Sequence, residues 1–207
     1  MTTAYLGSIQ YYRRLLREGL LIDLSVSYRK QTCMNRCYID SPHGALALSV
    51  PVVNPHGRTP VGDILISEHG NWRHQHWNAI VSAYRKSPFF EYYADDFRVF
   101  YEKKYPFLWD FNQEICALVC DLIDIHPQME GTTEYRTEFA PNECDFREII
   151  HPKRDFQVAD PNFTAEPYYQ VFKENFGFLP NLSIADLLFN MGPESLLVLQ
   201  KCAQKGL

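Results

Sequence analysis

Gln31, Asn35 and Arg36 place two amides and a guanidinium between two stretches that read as strands. Arginine grips carboxylate or phosphate through a fork of N–H donors. Amide side chains both donate and accept. Together the three suit an anionic, hydroxyl-rich ligand. They would serve equally as a turn network satisfying backbone groups, because an unpartnered buried polar group costs stability.

His69, His74 and His76 stand close together, with Trp72 and Trp77 among them. Residues two apart on a helix point about 200° apart, so His74 and His76 do not share a metal easily. No HExxH is present, and the expected metal set is empty. His76 falls on the apolar face of its helix with Trp72, Ile80, Ala83 and Tyr84. It reads as a packed histidine with one hydrogen bond, or as a proton-transfer group, since imidazole titrates near neutrality. Cys33/Cys37 and Cys116/Cys120 share a Cys-x3-Cys spacing, which common structural zinc sites do not use. The second pair fits a helix core. No nucleophile–base–acid set is readable around Cys33, and GxGxxG, GxxxxGK[ST] and GxSxG are all missing. The turn Tyr5-Leu6-Gly7-Ser8-Ile9 would offer helix-start amides to an anion.

The elements that must position these groups follow from pattern. Thr3 to Tyr5 reads as a short strand, Ser8 to Glu18 as a helix with Ser8 as N-cap and Gly19 as stop, and Leu20 to Val26 as a strand. That strand–helix–strand opening is slightly short for a βαβ unit, which takes about 30 residues or more. Arg36 to Ile39 and Ala45 to Val53 read as strands around a turn at Ser41-Pro42-His43-Gly44, and Val61 to Ile66 as another. Asn54-Pro55-His56-Gly57 signals a loop. Helices are expected from Asn71 to a break at Ser87-Pro88, Phe89 to Tyr101, Asp110 to Ile123, Gln170 to Asn175 and Ser183 to Asn190, with Gly192-Pro193-Glu194 capping a last one and a strand at Thr133 to Phe139. His151 to Pro167, with three prolines, is the expected lid. The fold class is α/β: an N-terminal strand–helix–strand unit with a small Rossmann-like sheet, then a mainly helical C-terminal half. One domain over 1–207 is expected, strand-rich over 1–68 and helix-rich over 69–207.

The chain has 207 residues, 46% hydrophobic and 22% charged, the profile of a globular protein. A net charge of −5 argues against non-specific nucleic-acid binding, which needs a basic face. The stretch from Tyr11 to Arg36 is nonetheless locally basic, which suits a small anion rather than a polymer. No targeting segment or membrane-spanning run is read, so the protein is expected in the cytoplasm with its six cysteines as free thiols.

Several segments, in order and over nearly the whole chain, resemble the WbqC-like protein family. They are Ile9-Gln10-Tyr11-Tyr12, Lys30-Gln31-Thr32 with Asn35-Arg36-Cys37, Ser49-Val50-Pro51-Val52, His76-Trp77, Ser87 to Tyr93, Leu108 to Asn112 and Pro180 to Pro193. Gly7-Ser8 stand where members often carry proline. The family takes its name from an O-antigen gene cluster. The resemblance therefore implies a part in surface-polysaccharide or lipopolysaccharide assembly, as a transferase using an activated sugar or acyl donor. Alternatively the chain is a non-catalytic partner of such an enzyme. On the first reading Gln10, Gln31, Asn35 and Arg36 bind the ligand, a small anion such as a nucleotide-sugar or phosphorylated donor. His76 transfers the proton, and Asn181, Asp186 and Asn190 orient it or the substrate. No cofactor is identified.

Overall fold

The computed structural model describes residues 1–16, 20–53, 58–132, 134–140 and 143–202. The expected stop at Gly19, the loop Asn54-Pro55-His56-Gly57 and the first residue of the expected late strand, Thr133, lie outside them. The described elements mix helices with two small sheets, and the C-terminal half is mainly helical.

The first helix, α1 (Ile9–Leu15), starts where Ser8 accepts a hydrogen bond from the Tyr11 N–H. Gly7 precedes it for a steric reason: a Cβ there would stand 2.7 Å from the Tyr11 ring. The strand β1 (Leu20–Asp23) follows, then β2 (Arg36–Ile39) and β3 (Leu46–Ser49). β2 and β3 pair antiparallel, Arg36 opposite Ser49. β1 pairs in parallel with β4 (Met129–Thr132), far along the chain. The expected strand at Thr3 to Tyr5 is therefore not β1's partner. Only Met1 runs beside β1, accepting from the Asp23 N–H at 2.8 Å. By Tyr5 the chain has turned away, and the Tyr5 N–H donates to the Cys33 carbonyl. Thr3 to Leu6 are apolar in pattern because they are wholly buried, and a short buried run carries no period that separates strand from coil.

Val61 to Ile66 also differs from expectation. Val61–Asp63 is a 3-10 turn, and the next residues make isolated bridges, Leu65 to Phe107 and Val52 to Ile66. Pro51, Pro60 and Pro106 surround this segment, and a proline gives no N–H to extend a ladder.

Three longer helices follow: α2 (Trp72–Tyr84), α3 (Phe90–Glu102) and α4 (Leu108–Leu122). α2 buries Trp72, His76, Ile80, Ala83 and Tyr84, the face its spacing indicates. α4 turns Cys116 and Cys120 inward with Phe111, Ile115 and Val119, while Leu118 and Leu122 are only partly buried. The expected Thr133 to Phe139 strand forms earlier, as β4. α5 (Phe156–Ala159) and α6 (Lys173–Phe176) are single turns, the latter shorter than expected because Gln170 is drawn into a side-chain network described below. The penultimate helix, α7 (Ile184–Met191), has every residue from Ile184 to Asn190 buried, the polar Asp186 and Asn190 included. Its Phe189 ring lies 5.0–5.1 Å from those of Tyr84, Phe90 and Phe97, and α8 (Ser195–Lys201) closes the chain over it. No helix among the described residues is long and apolar enough to cross a membrane.

Candidate functional site

The segment 180–183 ties the N-terminal unit to α7. The Ile9 N–H donates to the Leu182 carbonyl at 3.0 Å, the Ile184 N–H to the Gly7 carbonyl at 2.9 Å, and the Ser183 N–H to the Tyr38 carbonyl at 2.8 Å. Asn181 Oδ1 accepts from the Gln10 N–H at 2.9 Å, holding Asn181 at a φ of 56°, a conformation asparagine tolerates better than most residues. These bonds occupy the first amides of α1. They are thus not available to an anion, contrary to the reading of Tyr5 to Ile9.

Beside this junction lies a cleft of about 250 Å³. Arg36, Cys37 and Tyr38 of β2 line it together with Pro180 to Ser183, and Ile150, His151, Pro152, Arg154 and Phe156 supply a further wall. The expected lid segment thus supplies that wall. Gln10 and Ser8 complete it from α1. Arg36, Arg154 and His151 line the cleft, and no lining residue among the described residues is a carboxylate. In a protein of net charge −5, that local balance favours an anion.

Arg36 is held at one end only. Its Nε donates to Ser49 Oγ across the β2–β3 pair, the only hydrogen bond the described residues give its side chain. The Nη atoms remain for a ligand in the paired geometry that carboxylate and phosphate accept. The two cysteines near it are poor nucleophiles. Burial pushes the Cys33 thiol up to about 12 and the Cys37 thiol up as well, so both stay protonated at neutral pH.

The wall is tied to α1 by Asp160. Its carboxylate pairs with Arg14, both side chains 4% exposed, and accepts from Gln10 Nε2 at 2.9 Å. Arg14 also lies 4.7 Å over the Phe146 ring. Gln10 is therefore committed: its Nε2 holds Asp160, and its Oε1 faces Asn181 Nδ2 at 3.4 Å. Gln31 is exposed on a turn at φ 62° and accepts from Lys153 Nζ at 2.6 Å.

The other anticipated residues lie elsewhere. Asn35 is buried, with Nδ2 on the Val50 carbonyl at 2.8 Å, and it fixes the start of the β2–β3 pair. His76 lines neither this cleft nor the other cavity described below. Its Nδ1 meets Tyr5 Oη at 2.9 Å, Tyr5 meets Tyr101 at 2.9 Å, and Trp72 packs edge-on against the imidazole. Burial pulls His76 down to about 4, against a backbone hydrogen bond at Ser49. It is neutral near pH 7. Ser49 separates the two groups, its hydroxyl toward Arg36 and its backbone toward His76.

Asp186 and Asn190 belong to a buried network. Tyr84 donates to Asp186 at 2.8 Å, Gln170 at 2.9 Å, and Tyr168 also donates. Asn190 Nδ2 donates to the Asp186 carbonyl at 2.8 Å. Burial pushes Asp186 up to about 6, only partly offset by these donors, and the Asp40 charge adds to the rise. Asp40 is itself raised by burial, and its N–H donates to Tyr84 Oη at 3.0 Å. The network clips the 168–172 strap onto α7.

A second cavity, about 440 Å³, opens beside β1 and β4. Both of its arginines are paired: Arg147 spans Asp23 and Asp145, and Arg136 pairs with Glu143. The smaller cleft is the stronger candidate because its guanidinium at Arg36 is not neutralised in this way. Among the described residues no three His, Cys, Asp or Glu side chains gather as a metal would require. Sequence reasoning did not single out Arg154, His151, Glu148 or Asp160. The proline-rich wall segment signalled three of them only as part of a lid.

A WbqC-like protein family model matches residues 5–147, which takes in Gln10, Cys33, Arg36 and His76 but ends before the cleft's far wall. The uncharacterized protein Rv1507c of Mycobacterium tuberculosis is 26% identical over 200 residues, covering 86% of each chain. No solved structure matches. A match over more than half the chain, in agreement with the motifs from Gln10 to Asn112, places it: the chain belongs to the WbqC-like protein family.

Proposed function

We propose that this protein is a cytoplasmic transferase of bacterial surface-polysaccharide assembly that binds the anionic part of an activated, phosphorylated donor in the cleft at Arg36. The observation that carries this reading is the cleft's charge: two arginines line it, and no described lining residue is a carboxylate. The volume, about 250 Å³, is below the roughly 300–1,000 Å³ of sites that enclose a whole drug-sized ligand. It suits the charged head of a ligand whose remainder lies outside. With its thiols protonated, the cleft lacks an activated sulfur nucleophile. Transfer would then rest on positioning and charge stabilisation. The family's O-antigen association supports the pathway. His76, neutral and behind β3, serves in this reading to hold β3 rather than to move a proton.

Thermal unfolding with sugar phosphates, nucleotide-sugars and acyl donors tests the proposal. A ligand at a hundred times its Kd stabilises the fold by about 2.7 kcal/mol. For a chain of this size that raises Tm by roughly 5–10 °C. Arg36→Ala, folded as wild type, is expected to lose the shift. A panel without any shift, or a shift that survives Arg36→Ala, refutes the assignment. A non-catalytic accessory role would show the same binding with no turnover of donor.

A further inference from the structure

The mouth of the cleft carries more positive charge than one small anion needs. Arg36 lies inside, and Arg154 lines the wall. Arg29 and Lys153 stand around the rim, both exposed. Lys153 Nζ donates to Gln31 Oε1 at 2.6 Å. Two of these cations share a single carboxylate. Glu148 takes Arg29 on Oε1 at 2.6 Å and Arg154 on Oε2 at 3.2 Å.

The three rim cations act on one point. Burial and Arg154 push the His151 imidazole down, Lys153 and Arg29 add to the fall, and Glu148 opposes it. Glu148 is thus the internal counter-ion of the rim, about half exposed along with its partners. Ion pairs so exposed are weak and exchange readily for a better anion.

We infer that the anion taken here is a diphosphate, one phosphoryl group against Arg36 and the next at the rim, where Arg154 leaves Glu148 to meet it. This rests on the reading of the cleft as the donor's anion site and names the class of donor. A single phosphoryl or carboxylate group would occupy Arg36 and leave the rim to Glu148. A second linked phosphoryl group extends from the small cleft to the place where the remaining cations converge. Both sugar nucleotides and lipid diphosphates carry this group.

Isothermal titration at fixed ionic strength tests it, with orthophosphate, pyrophosphate, UDP and geranyl diphosphate as probes. Pyrophosphate is expected to bind at least tenfold tighter than orthophosphate. Arg154→Ala should reduce that advantage to threefold or less while orthophosphate affinity holds. Glu148→Gln removes the competing carboxylate and should tighten pyrophosphate about two- to fivefold, the range for an exposed pair. Both positions are on the surface, so both variants should fold, which unfolding curves check. UDP tighter than pyrophosphate assigns the donor to nucleotides, and geranyl diphosphate tighter than pyrophosphate assigns it to lipids. Equal affinity for orthophosphate and pyrophosphate, both lost in Arg36→Ala, overturns the diphosphate and leaves the anion site standing. Binding of none of the probes overturns both.

Discussion

Replacing Asp160 by alanine should cost this protein more than any surface change. The Asp160 carboxylate and the Arg14 guanidinium are each 4% exposed. Removing the carboxylate leaves a buried cation, whose Nε already has no partner, and also releases Gln10 Nε2. Breaking a buried pair from one side costs about 3–5 kcal/mol, because the remaining charge is neither hydrated nor paired. That is a large part of the roughly 5–15 kcal/mol that holds an ordinary domain together. At about 2–4 °C per kcal/mol for a chain this long, Tm should fall by roughly 6–20 °C. Urea titration should show a lower midpoint at an unchanged slope. The double variant Arg14→Met/Asp160→Leu removes both charges and leaves a thioether near the Phe146 ring, which Arg14 now covers at 4.7 Å. It should recover most of the loss, since apolar replacement of a buried pair is often neutral or better. A cost below about 1 kcal/mol for Asp160→Ala, or a double variant no better than the single, would refute the argument that this pair pins the wall to α1.

Two buried groups should oppose each other in acid. Asp186 is raised from 3.8 to about 6, so the folded state holds its proton where the unfolded state has lost it. The stability from this group is complete below 3.8 and lost as pH rises through about 6, some 3 kcal/mol in all. His76 is lowered from 6.5 to about 4, so its contribution, also about 3 kcal/mol, is complete above 6.5 and lost as pH falls through about 4. Denaturant unfolding from pH 6.5 to 4 should show Asp186→Asn losing stability toward acid and His76→Gln gaining it, each relative to wild type. Parallel curves for all three would sink this account. Iodoacetamide at pH 7.5 should label native protein first at exposed Cys144. Cys33, partly buried and with its thiol pushed up to about 12, should react far more slowly, and equal labelling by peptide mass spectrometry would contradict the protonated-thiol assignment.

The long helices were legible because periodicity reports burial directly. The spacing of Trp72, His76, Ile80, Ala83 and Tyr84 identified the buried face of α2 residue for residue. The expected helix from Ser183 to Asn190 forms as α7, its first turn capped where Ser183 accepts from the Ala185 N–H. Short buried segments were less readable. Thr3 to Leu6 and Val61 to Ile66 are apolar for their surroundings, and backbone partners come from Val26, Cys33, Val53 and Pro106, none of which a local pattern can name.

For the site, residue type marked Arg36 as an anion ligand in waiting, since guanidinium chemistry does not depend on the fold. What else belonged with it was decided by tertiary contacts. Gln10, Asn181 and Arg36 meet at one cleft although they come from opposite ends of the chain. Asn35, one residue from Arg36, turns to the Val50 carbonyl instead. His76 is drawn into an aromatic core where burial removes its charge, and Asp186 into a ring of tyrosine and amide donors. A sequence fixes which groups can ionise, donate or accept. Their partners and exposure, which set what those groups do, arise only when distant segments pack, because desolvation and hydrogen bonding act through space rather than along the chain.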